Sequence, residues 1–288
     1  MSLNVIDPFP WFLHKDLPLK FEGGEGIMHL RASEWTDHWR PLLGMIVDCQ
    51  KLQPRRMMVA IVGTPGSAKS YFAAQLAWLA EHDFIPGSRG VALSMDGFHY
   101  PNRVLGGRNL TLPTGEKISL RDCPGAPETF DAAALRQRLL EIRQIPEEIT
   151  WPDYNRRTHD PSPGSIRISS RYNLILVEGS YLLLDVEPYD GIADLFDLRI
   201  YLEAPAATVL ANLVNRRMEN GKTLVQAKEW VKRIDLPNAR LAEATQARAD
   251  VIIVRDRRDI LSAVAWRTGA NSARGSVIGK PTMAMAEN

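Results

Sequence analysis

Three segments of this sequence carry residue types and spacings suited to moving a phosphoryl group. The first is Gly63-Thr64-Pro65-Gly66-Ser67-Ala68-Lys69-Ser70-Tyr71. It nearly follows G-x-x-x-x-G-K-S, in which successive backbone N–H groups cradle phosphate oxygens and a helix N-terminus adds positive potential. In such a loop the lysine neutralises the outer phosphates and the Ser70 hydroxyl is a ligand for Mg²⁺. Ala68 stands where the second glycine belongs. If that position needs positive φ, alanine costs about 1–2 kcal/mol. The competing reading is an ordinary glycine-rich turn with an exposed lysine.

The second segment is Ser94-Met95-Asp96-Gly97-Phe98-His99. A carboxylate here can take a proton from a substrate hydroxyl or hold water on Mg²⁺. Taken alone, it reads equally as a turn aspartate making a local cap. The third is Val177-Glu178-Gly179. Enzymes that hydrolyse nucleotide at such a loop more often carry aspartate followed by a water-activating glutamate. One acid followed by glycine fits phosphoryl transfer to an acceptor better.

The elements around these residues must bring them together. MMVAIVG (57–63), GVALSMDG (90–97), YNLILVEG (172–179), LFDLRIYLEAP (195–205) and DVIIVRD (250–256) are apolar runs expected of strands buried on both faces. Helical spacing follows the first run at Phe72, Leu76 and Leu79, and recurs at Leu135, Leu139 and Ile142 after a capping Asp131. Further helix is expected over 34–52 behind Ser33, after Pro205, over 227–247 with a break at Leu236-Pro237, and over about 258–267. Arg103 to Pro127 reads as a long mobile loop, and residues 1–32 show no clear period. Alternating buried strands and helices predict an α/β chain with a parallel sheet, whose ligands lie at the carboxyl ends of the strands. Lys69/Ser70, Asp96 and Glu178 all end such strands.

Composition excludes several alternatives. Thirty-five basic against 34 acidic residues leave a net charge of +1, so no nucleic-acid partner is expected. No apolar run approaches the roughly 20 residues that cross a bilayer, so no membrane partner is expected either. The start MSLNVIDPFPWFLHKDLP lacks a leader pattern, and two cysteines, Cys49 and Cys123, suit a reducing cytoplasm.

At these residues the chain resembles the P-loop kinase superfamily of uridine kinase, pantothenate kinase and phosphoribulokinase, over about residues 57–256. Asp96-Gly-Phe-His-Tyr-Pro-Asn102 is similar to the D-G-F-x-x-P-N stretch of bacterial pantothenate kinases, whose aspartate is the proposed base. Gly125-Ala-Pro-Glu-Thr-Phe-Asp131, Glu178-Gly-Ser-Tyr-Leu-Leu-Leu184 and Asp235-Leu-Pro-Asn-Ala-Arg240 resemble elements of kinases associated with sugar transport. Pro124 stands where their pattern has lysine, with Arg121 the nearest base. Pro152-Asp-Tyr154-Asn-Arg156-Arg-Thr-His159 is similar to P-x-Y-D-x-x-x-H of uridine kinases, with Asn155 replacing the aspartate. Uridine specificity is therefore not carried over.

The resemblance implies a five-stranded parallel sheet of order 2-3-1-4-5 with helices on both faces and a helical lid over about 216–236. It implies an N-terminal extension over 1–52, a kinase domain over 53–267 and a tail over 268–288. ATP and Mg²⁺ would be the cofactors, bound through residues 63–71, with Ser70, Asp96 and Glu178 around the metal. Asp96, His99, Tyr154, Arg156 and His159 would face the acceptor, and Arg216 and Arg217 would close over the γ-phosphate. The expected reaction is phosphoryl transfer to a hydroxyl of a sugar, nucleoside or pantothenate-like metabolite. The rival expectation is a nucleotide-binding regulatory protein that keeps the fold with little turnover. A homodimer is left open.

Overall fold

In a computed structural model of the 288-residue chain, the described residues are 16–21, 24–53, 55–111, 115–256 and 261–266. The central strand, β1 (Met57–Val62), is buried at every position. Side chains alternate across a strand, so Met57, Val59 and Ile61 face one core while Met58, Ala60 and Val62 face another. The remaining strands are β2 (Gly90–Ser94), β3 (Leu174–Glu178), β4 (Leu198–Glu203), β5 (Val251–Arg255) and β6 (Leu261–Trp266). The first five are parallel and lie in the order 2-3-1-4-5. That is the expected order, and it sets β2 and β3 on one side of β1, with β4 and β5 on the other.

The sheet nevertheless has six strands. The segment read as a last helix is β6, antiparallel to β5. A register shift between Leu261 and Ala263 breaks the two-residue alternation. Leu261, Val264 and Trp266 therefore pack on one core three and then two residues apart, without a continuous two-residue alternation.

One core lies beneath the helix Lys69–Glu81, where Phe72, Leu76 and Leu79 meet Trp39, Leu42, Leu43 and Ile46 of an N-terminal helical run. Trp39 stacks on Phe72 at 5.5 Å. That run starts at Ala32 and continues through a π turn at Trp35–Trp39 to Lys51. Ser33 lies inside it, and Arg31 is the N-cap, without a side-chain hydrogen bond, so the expected Ser33 cap does not form. The second core packs Leu135, Leu139 and Ile142 of the helix Ala132–Gln144 against Trp151 and the opposite face of β1. Asp131 caps this helix as expected, accepting from Ala134 N at 2.9 Å.

Other expectations need correction. Leu17–Phe21 and Gly24–Met28, in a region that shows no sequence period, pair as antiparallel strands. The stretch 103–127 is not one loose loop: it holds the short helix Asn102–Leu105, a small hairpin pairing Asn109–Thr111 with Lys117–Ser119, and 3₁₀ turns. Residues 149–168 form a further hairpin. The helical segment 224–244 does not break at Pro237. It passes through a π turn at Val231–Asp235, where Leu236 N bonds Val231 O. The wider turn absorbs a proline that has no N–H to give. The expected tail over 268–288 lies outside the described residues.

Candidate active site

The loop after β1 has the geometry of an anion cradle. Gly66 adopts φ 85° and Ala68 φ 64°, both in the left-handed region. A Cβ at Gly63 would lie 2.5 Å from Leu202 O and 2.7 Å from Ser67 Oγ, so only glycine fits there. The Ser67 hydroxyl is buried without a hydrogen-bond partner, as expected of a donor kept for an anion. Lys69 is buried, with Nζ donating to Thr64 O at 3.1 Å. Burial pushes its ammonium below the ordinary value, while Glu178 and Asp96 oppose that shift. Asn212 donates to Gly66 O at 2.9 Å and fixes the loop from the helix Ala206–Glu219.

The strand order delivers the acids next to this loop. Glu178 ends β3, and Ser70 Oγ donates to its Oε1 at 2.9 Å. Burial drives the Glu178 carboxyl up; Lys69 pulls it back, Asp96 adds to the rise, and the net shift is upward. Asp96 follows β2 on a 3₁₀ turn whose N-cap, Ser94, accepts from Asp96 N at 3.1 Å. Burial pushes the Asp96 carboxyl up, but His99, Arg156, Arg216 and Lys69 outweigh it and hold it below its ordinary value. His99 is itself driven down by burial, so at neutral pH the two arginines and Lys69 keep Asp96 ionised. Arg156 Nη2 lies 3.6 Å from Asp96 Oδ2.

Gly97 explains the Asp-Gly-Phe spacing. A Cβ there would come within 2.1 Å of Pro152 O, because the 149–168 hairpin presses on the turn that carries Asp96. The same hairpin supplies Tyr154 and, at its tip, His159 in a left-handed conformation (φ 54°). Asn102 holds that tip, donating through Nδ2 to His159 O at 2.8 Å, while its amide bonds Asp160 Oδ1 at 2.7 Å. His99 is sandwiched between the Phe130 and Tyr154 rings at 3.8 and 4.7 Å. Its Nδ1 lies 2.8 Å from Asp96 O. A carbonyl only accepts, so Nδ1 carries the hydrogen and Nε2 is left as an acceptor. Burial pushes the Tyr154 phenol up to about 12, so it stays protonated.

The arginine pair divides. Arg216 lines the cleft and is pushed below its ordinary value by burial and then by Arg156, with Asp96 opposing. Arg217 lines the same cleft, but its guanidinium is held in a buried two-point ion pair by Asp235, with Nε to Oδ2 at 2.8 Å, and lies 5.2 Å from the Trp230 ring centre. At position 217 the arginine expected over the phosphate is thus held by Asp235 at the cleft wall. Asp235 was legible only as part of D-L-P-N-A-R. Sequence reasoning also missed Arg255, a buried base ending β5, which donates to Ala68 O at 3.3 Å. A basic residue closing a buried strand is the signal that could have found it.

Lys69, Ser70, Asp96, His99, Tyr154, Arg156, Glu178 and Arg216 line one open cleft of about 1210 Å³. Among the described residues no group of three or more His, Cys, Asp or Glu gathers as in an all-protein metal cage. Mg²⁺ does not need one, since one or two carboxylates plus phosphate oxygens suffice. The Ser70 hydroxyl, Glu178 and Asp96 form such a set, so the residues fit both the nucleotide and the metal. No helix among the described residues is long and apolar enough to cross a membrane.

Comparison with known proteins sets this site in context. No protein-family model matches the sequence. YggC of Escherichia coli K12, an uncharacterised protein, is 34% identical over 216 residues, covering 74% of this chain and 84% of that one. C227.14 of Schizosaccharomyces pombe, named as a candidate uridine kinase, is 29% identical over 203 residues, covering 69% and 83%. Among solved structures, a candidate fructose transport system kinase from Silicibacter sp. TM1040 is 30% identical with a TM-score of 0.62, covering 71% of this chain and 93% of that one.

Proposed function

Because the chain belongs to the P-loop kinase superfamily of uridine kinase, pantothenate kinase and phosphoribulokinase, we propose that it transfers the γ-phosphoryl group of ATP to a hydroxyl of a small metabolite. The observation that carries this reading is Asp96, kept ionised by Arg156, Arg216 and Lys69, in one cleft with the phosphate loop and the Ser70–Glu178 pair.

Lys69, the Ser67 hydroxyl and the loop amides hold the β and γ phosphates. Asp96 takes the proton of the acceptor hydroxyl as its oxygen bonds the γ-phosphorus and the bond to the bridging oxygen of the leaving ADP breaks. His99 Nε2 and the Tyr154 phenol orient the acceptor, with Arg156 and His159 at the mouth of the cleft. Arg216 carries an uncompensated positive charge to where negative charge spreads over the transferring group. Ser70, Glu178 and Asp96 would hold Mg²⁺, which would neutralise negative charge on the nucleotide. Catalysis is positioning plus electrostatics. Acceptors of the sugar, nucleoside or pantothenate type fit a pocket with one base, two arginines and stacked rings. The free thiols Cys49 and Cys123 suit a reducing, cytoplasmic setting.

The test compares wild type with Asp96→Asn across sugars, nucleosides and pantothenate, following ADP release and product mass. Acceptor-dependent ADP release by wild type alone is the expected result. Equal release by both proteins would overturn the base assignment. ATP binding with no acceptor-dependent release would make the chain a nucleotide-binding regulator instead.

A further inference from the structure

The cleft has a second end that phosphate transfer does not use. Besides Asp96, Lys69 and Arg216 it is lined by Phe21, Gly26, Ile27, His29 and Arg31 of the N-terminal hairpin and the turn after it. The strand order fixes where this end lies. Asp96 and Glu178 follow β2 and β3, on one side of β1. The hairpin docks on the other side, where β5 ends. Tyr71, two residues beyond Lys69, donates its hydroxyl to Ile27 O at 2.7 Å and meets the Phe21 ring edge-on at 5.6 Å. Arg255 of β5 faces the same tyrosine ring at 5.3 Å and also bonds the loop at Ala68 O. The N-terminal helical run is tied to the same flank, because Leu261 N of β6 donates to Glu34 Oε1 at 3.0 Å.

A triphosphate lying along the loop with its γ end at Asp96 must therefore send its α end, and the nucleoside attached to it, toward the hairpin. The chemistry of the hairpin agrees. Ile27 pairs with Pro18, which has no amide hydrogen, so the Ile27 carbonyl turns out to Tyr71. Gly26 packs so closely that a Cβ would lie 3.2 Å from Phe21 and 3.4 Å from Tyr71, which fixes the hairpin on the loop helix. The Ile27 side chain stays half exposed in the cleft. At this end of the cleft, an apolar side chain and an aromatic edge suit the one apolar part of a nucleotide, its base.

We propose that the N-terminal hairpin is the nucleobase-binding wall of the site, with Ile27 and Phe21 contacting the base and Tyr71 positioning the hairpin. This rests on the nucleotide reading above and extends it to residues outside the phosphate machinery. The experiment measures calorimetric binding of MgATP and of magnesium tripolyphosphate to the full chain, as wild type and as Ile27→Ser. Losing the apolar contact should weaken MgATP about tenfold, the equivalent of roughly 1.4 kcal/mol, and leave tripolyphosphate within about twofold. Hydrogen exchange gives a readout that needs no variant: amides of 24–31 should gain protection with MgATP and not with tripolyphosphate. Unchanged MgATP affinity in Ile27→Ser, or equal protection by both ligands, overturns the hairpin assignment and leaves the phosphate site standing. Wild type that binds neither ligand overturns the nucleotide reading and the hairpin assignment together.

Discussion

The two flanks of the phosphate loop are built on opposite principles. On the β2–β3 side, Lys69, Glu178 and His99 are buried charged or titratable groups, with Asp96 half-buried and Arg216 open to the cleft beside them. Burial drives Lys69 and Arg216 down and Glu178 up, and Asp96 stays low only through its cationic neighbours. On the β5–β6 side, the hairpin offers apolar and aromatic contacts around Tyr71 and leaves Ile27 half exposed. A buried charge without a partner is costly, so the first flank is poised for an incoming ligand that completes its electrostatics. The second flank offers surface area and shape. The difference separates groups that act on the reacting atoms from groups that hold the rest of the nucleotide.

The largest expected effect breaks that division at its charged side. Asp96→Asn should lower turnover by about 10²–10⁴-fold, the range for loss of a general base. MgATP affinity should change by no more than a few fold, because Ser70 and Glu178 remain to hold the metal and the amide keeps the shape of the carboxylate. Rapid-quench turnover and calorimetry separate the two readouts. If ATP binding collapses together with turnover, Asp96 belongs to the nucleotide's metal shell more than to the acceptor.

Arg216 and Arg217 sharpen the comparison within two consecutive residues. Arg216→Ala should cost turnover by roughly 10²-fold, as for a group that stabilises transition-state charge, with little change in melting temperature. Arg217→Ala should do the reverse. It leaves Asp235 buried without its partner, a loss of about 3–5 kcal/mol. That corresponds to a drop on the order of 10 °C in melting temperature for a chain of this size. The apolar pair Arg217→Met with Asp235→Leu should recover much of that stability. Recovered stability without recovered turnover would give Arg217 a catalytic part as well.

How much of this was legible followed the length scale of the signal. The five buried strands and the loop Gly63–Ser70 announce themselves within a few residues, because a strand covered on both faces admits only apolar side chains. Three strand ends then place Lys69, Asp96 and Glu178 together. The Arg217–Asp235 clamp spans 18 residues and a π turn, and no local pattern encodes which of two arginines turns inward. The N-terminal hairpin pairs Leu17–Phe21 with Gly24–Met28 through short, glycine-bearing strands whose burial comes from docking on Tyr71, so residues 1–32 showed no period. The last strand reads ambiguously because its register shift interrupts the two-residue alternation that marks a strand. Local chemistry was readable, whereas docking of one local unit on another was not.

Ala68 offers a smaller, quantitative test at the point where the flanks meet. Its φ of 64° is in the left-handed region, which costs a residue bearing Cβ about 1–2 kcal/mol. Glycine removes that strain and adds freedom to the unfolded chain, which takes back about 0.4–1 kcal/mol. Ala68→Gly should therefore stabilise the protein by up to about 1.6 kcal/mol, read by urea unfolding. A loss of stability would mean that the alanine methyl makes contacts worth more than the strain.

The smallest effect probes whether the N-terminal run, which carries the hairpin, is a fixed part of the fold. Burial, then Asp250, Asp48 and Asp197, push the Cys49 thiol up to about 11 from 9.0. At pH 8 its thiolate fraction is about 100-fold below that of the unfolded chain, so iodoacetamide should alkylate it correspondingly more slowly in the native protein than in urea. The sign of the stability effect follows from linkage. A folded value above the unfolded one means that the folded chain holds its proton longer, so the contribution is complete below pH 9 and is lost as pH rises toward 11. By pH 10 the loss should be roughly 1 kcal/mol, and Cys49→Ala should remove that part of the alkaline decline. Alkylation of native Cys49 at the unfolded rate would mean that the N-terminal run leaves the core readily, and the wall it carries could not then be a preformed part of the site.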